Sequence, residues 1–383
     1  MQRGDEIVIK PDELVAGGNA LARLDGLPIF ASNVFPGDVA LVRVTEVKRG
    51  FARAELVRLL SSSPLRRLGP CPVAEECGGC DWTALRLDAQ LDAKRRILSE
   101  SLRRIGKFDP ASLPPITIHP SPLNYRIRSR LQRDDDAIGF YALRSNRVVQ
   151  LPRECEVVGL ETARCFGGAP PTRRRTTAAE VGGAPLTGAP TIWELQGELI
   201  HDSELSITVD EFTWRLSTAS FFQVNRHLLS TMLRLVSAHA ARVEQRTLAL
   251  DLYAGVGFFT LPLAKLFDQV IAVEGSPESA KYTRINAPSN VRILEKPVEQ
   301  ARLPEADLIF LDPPRAGARK EVMAAAGQRA RAMICHLSCD PVTFARDANR
   351  LIASGWRLRT LDLLDLFPNT HHVETLSSFE RAR

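Results

Sequence analysis

The 383-residue chain has no uninterrupted apolar run approaching the ~18 residues a membrane span requires, so no transmembrane helix is expected. Its opening "MQRGDEIVIK" is charged at once and holds no apolar h-region, so no secretory signal is expected either. An even cysteine complement is also missing. Seven cysteines, at 71, 77, 80, 155, 165, 335 and 339, without an export signal argue against a disulfide framework. They point instead to metal binding or catalysis in a reducing, cytoplasmic setting. Lysine is scarce, and arginine greatly outnumbers it in a chain of net charge +5. Guanidinium groups grip phosphate and stack on bases, which makes nucleic acid a natural partner, although a genomic bias towards Ala, Pro, Gly and Arg would give the same excess.

Residues 1–60 alternate in the β manner between Gly and Pro breaks, which predicts a small barrel of about five strands. "SSSPLRRLGP" then reads as a linker. Residues 65–217 form a second, β-rich region, opened by the cysteines between Cys71 and Cys80. A helix is predicted over 86–106, where Leu87, Leu91, Ile97, Leu98 and Leu102 recur at helical spacing. Within this region, 167–190 has too few large apolar residues to pack and predicts a mobile loop. From 218 to 383, and most clearly after 246, short apolar strands alternate with helical segments, the pattern of an α/β, doubly wound, mostly parallel sheet.

"DLYAGVGFF" follows the first of those strands, and Gly255 and Gly257 let the backbone turn tightly beside a ligand. The third glycine of a dinucleotide fingerprint is missing, with Phe258 and Phe259 in that region, so a ligand without a pyrophosphate is favoured. Glu274 ends the next strand, 23 residues after Asp251, where a carboxylate can take both ribose hydroxyls. A solvated strand end is the competing role for Glu274, and a capping or loop-ordering role for Asp251. "DLIFLDPPR" delivers Asp312 into the same crevice, stiffened by Pro313 and Pro314. Enzymes that methylate exocyclic amines commonly carry an aromatic residue after this pair; Arg315 stands there and argues for another target atom.

"STASFFQVN", "DLYAGVGFFTLPLA", "DLIFLDPPRAG", "SCDPVTFARD" and "DLFPNTHHVET", in this order, resemble the RNA uracil-5-methyltransferases that use S-adenosyl-L-methionine. The resemblance covers nearly the whole chain and is to the ribosomal RNA type carrying an iron–sulfur cluster and a TRAM domain. It implies a Rossmann-like methyltransferase domain at 218–383 and a TRAM-like, RNA-binding barrel at 1–60. It also implies a central RNA-binding domain at 65–217, whose "CPVAEECGGCDW" resembles the family's cluster signature. Cofactor contacts then fall on Gln223, Tyr253, Glu274 and Asp312, beside Gly255 and Gly257. Cys339 becomes the nucleophile and Glu374 the general base. Cys71, Cys77, Cys80 and Cys155 become ligands of a [4Fe–4S] cluster; their spacing alone suits zinc equally well. The chain departs from the pattern at Phe258, where Asn is frequent, and at His336, where an aromatic ring is common. "EKPVEQ" lacks a clearly placed acidic residue for the adenine, leaving Asp307 and Glu299 as candidates.

Such chemistry needs this residue set. Carbon 5 of uracil is too weak a nucleophile to attack a methyl sulfonium unaided. A thiolate adding to carbon 6 makes carbon 5 enolate-like, and a base must later remove the carbon 5 proton so the thiolate can leave. Cys335 belongs to the strand interior, and Cys165 has no evident role. Asp340 is either a turn residue or a contact to the base edge, and His371 and His372 read as loop residues. The target base must be turned out of its stack, with Phe221, Phe222 and Tyr253 as stacking candidates and one phenylalanine in the core. Arg126, Arg128 and Arg130 recur at period two, which predicts one guanidinium face for phosphates. The expected substrate is structured RNA, 23S ribosomal RNA ahead of transfer RNA, with a monomer acting away from membranes. The reading of another class is a non-catalytic RNA-binding or assembly protein on a degenerate methyltransferase fold; intact Cys339, Glu374 and Asp312 speak against it.

Overall fold

Strict alternation at the start of the chain gives six strands, seen in a computed structural model that describes residues 1–69, 71–134, 137–168, 191–200 and 203–381. They are β1 (Glu6–Ile9), β2 (Glu13–Leu14), β3 (Ala20–Leu24), β4 (Leu27–Ser32), β5 (Val39–Lys48) and β6 (Phe51–Ser61), in the order β1-β5-β6-β4-β3-β2. Small inward residues such as Ile29, Ala31, Val42, Val44 and Ala52 fill the interior at no more than 1% exposure. The count exceeds the expected five because β2 is only two residues long, too short to show a period.

The expected helix is α1 (Leu87–Arg104), which buries Ile97, Leu98 and Leu102. β7 (Ile116–His119) follows. The middle of the chain forms small antiparallel sheets from β8 (Arg128–Arg130), β9 (Gln132–Arg133), β10 (Ile138–Tyr141), β11 (Val148–Gln150), β12 (Thr191–Leu195), β13 (Glu198–Ile200), β14 (Glu204–Val209) and β15 (Phe212–Ser217). A short helix, α2 (Leu160–Phe166), lies among them. Nearly all of the segment predicted to be a mobile loop, 167–190, lies outside the described residues.

The last third supplies α3 (Leu229–Ala241), β16 (Leu248–Leu252), α4 (Thr260–Leu266), β17 (Gln269–Glu274), α5 (Pro277–Asn286), β18 (Val291–Glu295) and β19 (Ala306–Leu311). α6 (Lys320–Arg329), β20 (Ala330–Ser338), α7 (Pro341–Ala353), β21 (Trp356–Leu364) and β22 (Glu374–Arg381) complete it. Its eight-stranded sheet runs β18-β17-β16-β19-β20-β22-β21-β7. β16 to β20 are parallel, and β22 is inserted antiparallel between β20 and β21. The eighth strand comes from far upstream: Ile116–His119 pairs in parallel with Leu361–Leu364. Alternate residues serve opposite faces. Leu250, Leu252, Ile309 and Leu311 pack with α1, α6 and α7, whereas Ala249, Leu308 and Phe310 pack with α3 and α4. Strand order reverses between β16 and β19, which opens a crevice at their carboxyl ends. Among the described residues no helix is long and apolar enough to cross a membrane.

Candidate active site

The crevice is a cavity of about 730 Å³, within the range of small-molecule sites, and it gathers residues from seven separate segments. Gln223, Tyr253, Gly255, Glu274, Asp312, Cys339 and Glu374 all line it. Gly257 does not; it stands behind the loop at φ +88°, where a Cβ would lie 3.3 Å from Thr283. Its role is to let the chain turn against α5.

β16 stops at Leu252, and Tyr253 takes the left-handed conformation at φ +64°. The Gly255 N–H donates to Glu274 Oε2 at 2.8 Å, and the Ser276 N–H donates to Glu274 Oε1 at 2.6 Å. Two backbone donors therefore fix this half-buried carboxylate at the strand end while its remaining lone pairs face the cavity. Asp251 points away from the cavity and accepts from the Thr260 hydroxyl, so it orders the glycine loop from below. Burial pushes its carboxyl up to about 7. Of the two candidates for the adenine, Asp307 sits at the amino end of β19 and accepts from the Thr247 and Leu248 N–H groups, far from the ligand end. Glu299 instead accepts from the Tyr253 hydroxyl at 3.2 Å, beside the crevice.

Asp312 follows β19, with Gln223 Nε2 donating to its Oδ2 at 3.3 Å. Burial, then Asp251, pushes the Asp312 carboxyl up to about 8. Cys339 follows β20 and is half-buried. Burial first, then Glu374 and Asp312, push its thiol up to about 12 against the opposing charge of Arg315. Glu374 begins β22, paired with Leu364 on β21, and its neighbour Thr375 pairs with Ser338, which precedes Cys339. It is 6% exposed, and burial followed by Asp312 raises its carboxyl well above the ordinary range. A thiol and two carboxyl groups thus meet at neighbouring strand ends, with the Gln223 amide beside them.

The adjoining residues divide cleanly. Asp340 is the N-cap of α7, its Oδ1 accepting from the Val342 and Thr343 N–H groups at 3.0 and 2.8 Å, so its role is that of a turn residue. Phe222 is in the core with Trp214 and Phe258, whereas Phe221 is 59% exposed at the cavity rim. Cys335 is fully buried packing, and Cys165 is exposed on α2. His336 is buried and stacks on Phe344. His371 is engaged with Asp81, and burial pushes His372 down to about 4.

Sequence reasoning overlooked how the loop before Glu374 is held. Lys94 of α1 reaches Asp365 at 2.6 Å, a buried ion pair, and Asn225 donates to the Leu366 carbonyl at 2.9 Å. Asn369, at φ +66°, exchanges hydrogen bonds with Gln90 and donates to Glu156 Oε2 at 2.8 Å, which also takes Arg67. The asparagine in "FPNT" was the one available signal, since Asn tolerates this conformation. Glu156 follows Cys155, so the loop is tied to the cysteine region.

That region has its own cavity, lined by Cys71, Cys77, Cys80 and Cys155 together with Val73, Phe140, Leu151 and Val157. Burial raises all four thiols. Gly78 is needed there, because a Cβ would lie 2.9 Å from the Tyr141 carbonyl. Among the described residues no three ligand-type side chains close on one point as a single ion would need. The four cysteines line one common apolar volume.

Of the expected arginine stripe, Arg130 is exposed and Arg128 is half-buried over Trp193. Arg126 precedes β8 and turns inward, so the stripe is shorter than period two suggested.

Family models match the chain at two places: tRNA (Uracil-5-)-methyltransferase over residues 193–303 and 298–381, and TRAM domain over residues 3–57. A protein of Corynebacterium efficiens described as an uncharacterized RNA methyltransferase is 32% identical, over 100% of this chain and 96% of its own length. The 23S rRNA (uracil(1939)-C(5))-methyltransferase RlmD of Pseudomonas putida is 30% identical, over 96% of this chain and 92% of its own. In fold, the chain is similar to the tRNA (uracil-54, C5)-methyltransferase of Pyrococcus abyssi, solved with S-adenosyl-L-homocysteine. Their TM-score is 0.71 at 23% identity, covering 97% of this chain and 99% of the other.

Proposed function

This chain belongs to the RNA (uracil-5-)-methyltransferase family, and on that premise we propose that it methylates carbon 5 of one uridine in 23S ribosomal RNA. Cys339 is the attacking sulfur and Glu374 the base. One observation carries the reading: Cys339, Glu374 and Asp312 leave three different strands and line a single cavity with Gln223 and Glu274. Full-length relatives named for 23S ribosomal RNA support that substrate over transfer RNA.

Gln223, Tyr253, Glu274 and Asp312 fit S-adenosyl-L-methionine, because a carboxylate anchored at the end of β17 faces a cavity of suitable size that lacks a phosphate cradle. When bound, it supplies an electrophilic methyl group. Cys339, as thiolate, adds to carbon 6 of a uracil turned into the cavity over Phe221. The new carbon–sulfur bond places electron density on carbon 5, which would take the methyl group and then carry both it and the proton. Glu374, whose carboxyl is pushed above the ordinary range by burial and then by Asp312 and so made more basic, takes the carbon 5 proton as carboxylate, and the electron pair expels the sulfur. Glu299, which accepts from the cavity residue Tyr253, is the carboxylate we assign to the adenine amine.

Cys71, Cys77, Cys80 and Cys155 hold a [4Fe–4S] cluster in this reading. Four thiols around an apolar volume suit a core with extent of its own better than one tetrahedral zinc with bonds of about 2.3 Å. The cluster region ties down the Glu374 loop and takes no electron from the substrate.

Cys339→Ala should lower labelled methyl transfer to ribosomal RNA by at least about 10³-fold with iron content unchanged. RNA containing 5-fluorouridine should become linked to Cys339. A link to another residue would overturn the assignment, and product mapped only to transfer RNA would overturn the choice of substrate.

A further inference from the structure

Among the described residues Arg126 is a cation without a carboxylate partner. Its neighbours in the same region are paired: Arg66 with Asp38, Arg67 with Glu156 and Arg226 with Glu194. No carboxylate among the described residues pairs with Arg126, and its Nε is shut from water without a hydrogen-bond partner. Its backbone explains why it cannot escape. The Arg126 N–H donates to the Val157 carbonyl at 3.0 Å, and its own carbonyl accepts from Arg226 at 3.1 Å. Those bonds run the residue alongside the segment that carries Cys155. Its guanidinium carbon then lies 5.7 Å from the Phe140 ring, and Phe140 is a wall of the cysteine cavity.

The field of Arg126 is felt by the buried hydroxyl of Tyr125, whose ring lies 6.0 Å from the guanidinium carbon, and beyond that by the thiols of Cys80 and Cys155. The Arg126 charge works against the upward push of burial on Cys77, Cys80 and Cys155. A buried guanidinium with no counter-charge is costly, and evolution seldom leaves one without a partner. Four thiolates outweigh the positive charge of an oxidised iron–sulfur core, so the ligated centre is an anion, and adding one electron makes it more so.

We propose that Arg126 is the internal counter-ion of the four-cysteine centre, a fixed cation that raises the reduction potential of the cluster and protects it from oxidative loss. This rests on the [4Fe–4S] reading above. Arg126 does not line the cavity of Cys339 and Glu374; it acts through the cluster. It therefore differs from Arg130, which is exposed and free to meet phosphate.

The test uses the full-length chain purified without oxygen. Iron and sulfide are assayed, the potential is read by dithionite titration, and the loss of visible absorbance is timed in air. Arg126→Met should shift the potential to a more negative value and bleach several-fold faster than the parent. Arg126→Lys, which keeps the charge, should lie much closer to the parent. Arg126→Gln repeats the neutral test should the methionine variant fail to fold. A cluster-bearing parent and a neutral variant with the same potential and the same bleaching rate would overturn the counter-ion alone. A chain that takes up no iron and sulfide on anaerobic reconstitution would overturn the cluster and the counter-ion together.

Discussion

The cavity around Cys339 and Glu374 and the four-cysteine cavity place the same side chain in opposite electrical company. Cys339 stands among carboxyls, its thiol raised by burial and then by Glu374 and Asp312, against a backbone hydrogen bond and the charge of Arg315. Cys77, Cys80 and Cys155 stand around an apolar space with a guanidinium behind one wall. The first cavity is large and open to a substrate. The second is walled by Val73, Phe140, Leu151 and Val157. A cysteine's task is set by what surrounds it: charged carboxylates hold Cys339 as a thiol in an accessible cavity, whereas a cation behind a closed wall favours the ligating thiolate.

Changing the company of Cys339 is the strongest way to break this contrast. Glu374→Gln should lower turnover by about 10²–10⁴-fold, while Cys339 still attacks. A methylated RNA–protein adduct should then accumulate, visible as a shifted band on a denaturing gel; free, unmethylated RNA alone would remove Glu374 from its role.

A milder change acts on the thiol itself. Asp312 is pushed up to about 8, so below that pH it keeps its proton and exerts little field on Cys339. Above it, the carboxylate holds the thiol protonated. Asp312→Asn should therefore speed alkylation of Cys339 by iodoacetamide above pH 8, by up to about tenfold, and leave the rate at pH 6 near that of the parent. The smallest effect belongs to the cap. Asp340→Ala removes the acceptor of two N–H groups at the start of α7 and should cost about 1 kcal/mol in thermal unfolding. The alkylation profile of Cys339 should hardly move, since the cap shapes the helix and not the cavity.

The residues of the open cavity were legible because doubly wound sheets put function at strand ends, and strand ends show as an apolar run meeting glycine, proline or acid. Asp312 and Cys339 are both found this way. Glu374 needed the family resemblance, because a glutamate before an apolar strand carries no signature of its own. Three features were hidden. Arg126 shares its spacing with Arg128 and Arg130, yet the strand begins only at Arg128, so period two ceased to apply one step too late. Asn369 gains its meaning from Gln90, Glu156 and Arg67, all remote in sequence. β7 is four residues long, too short for any period, and its partner lies some two hundred and forty positions downstream.

That last strand governs how the molecule can be divided. β7 covers the free side of β21, and β21 in turn backs Glu374 through the pairing of Leu364. Cutting the chain just before residue 218 would strip β21 of its neighbour and expose a row of unpaired amides and carbonyls, an invitation to self-association. A fragment that begins before α1 would keep that border sealed, so the smallest portion worth expressing alone starts well upstream of the apparent catalytic half.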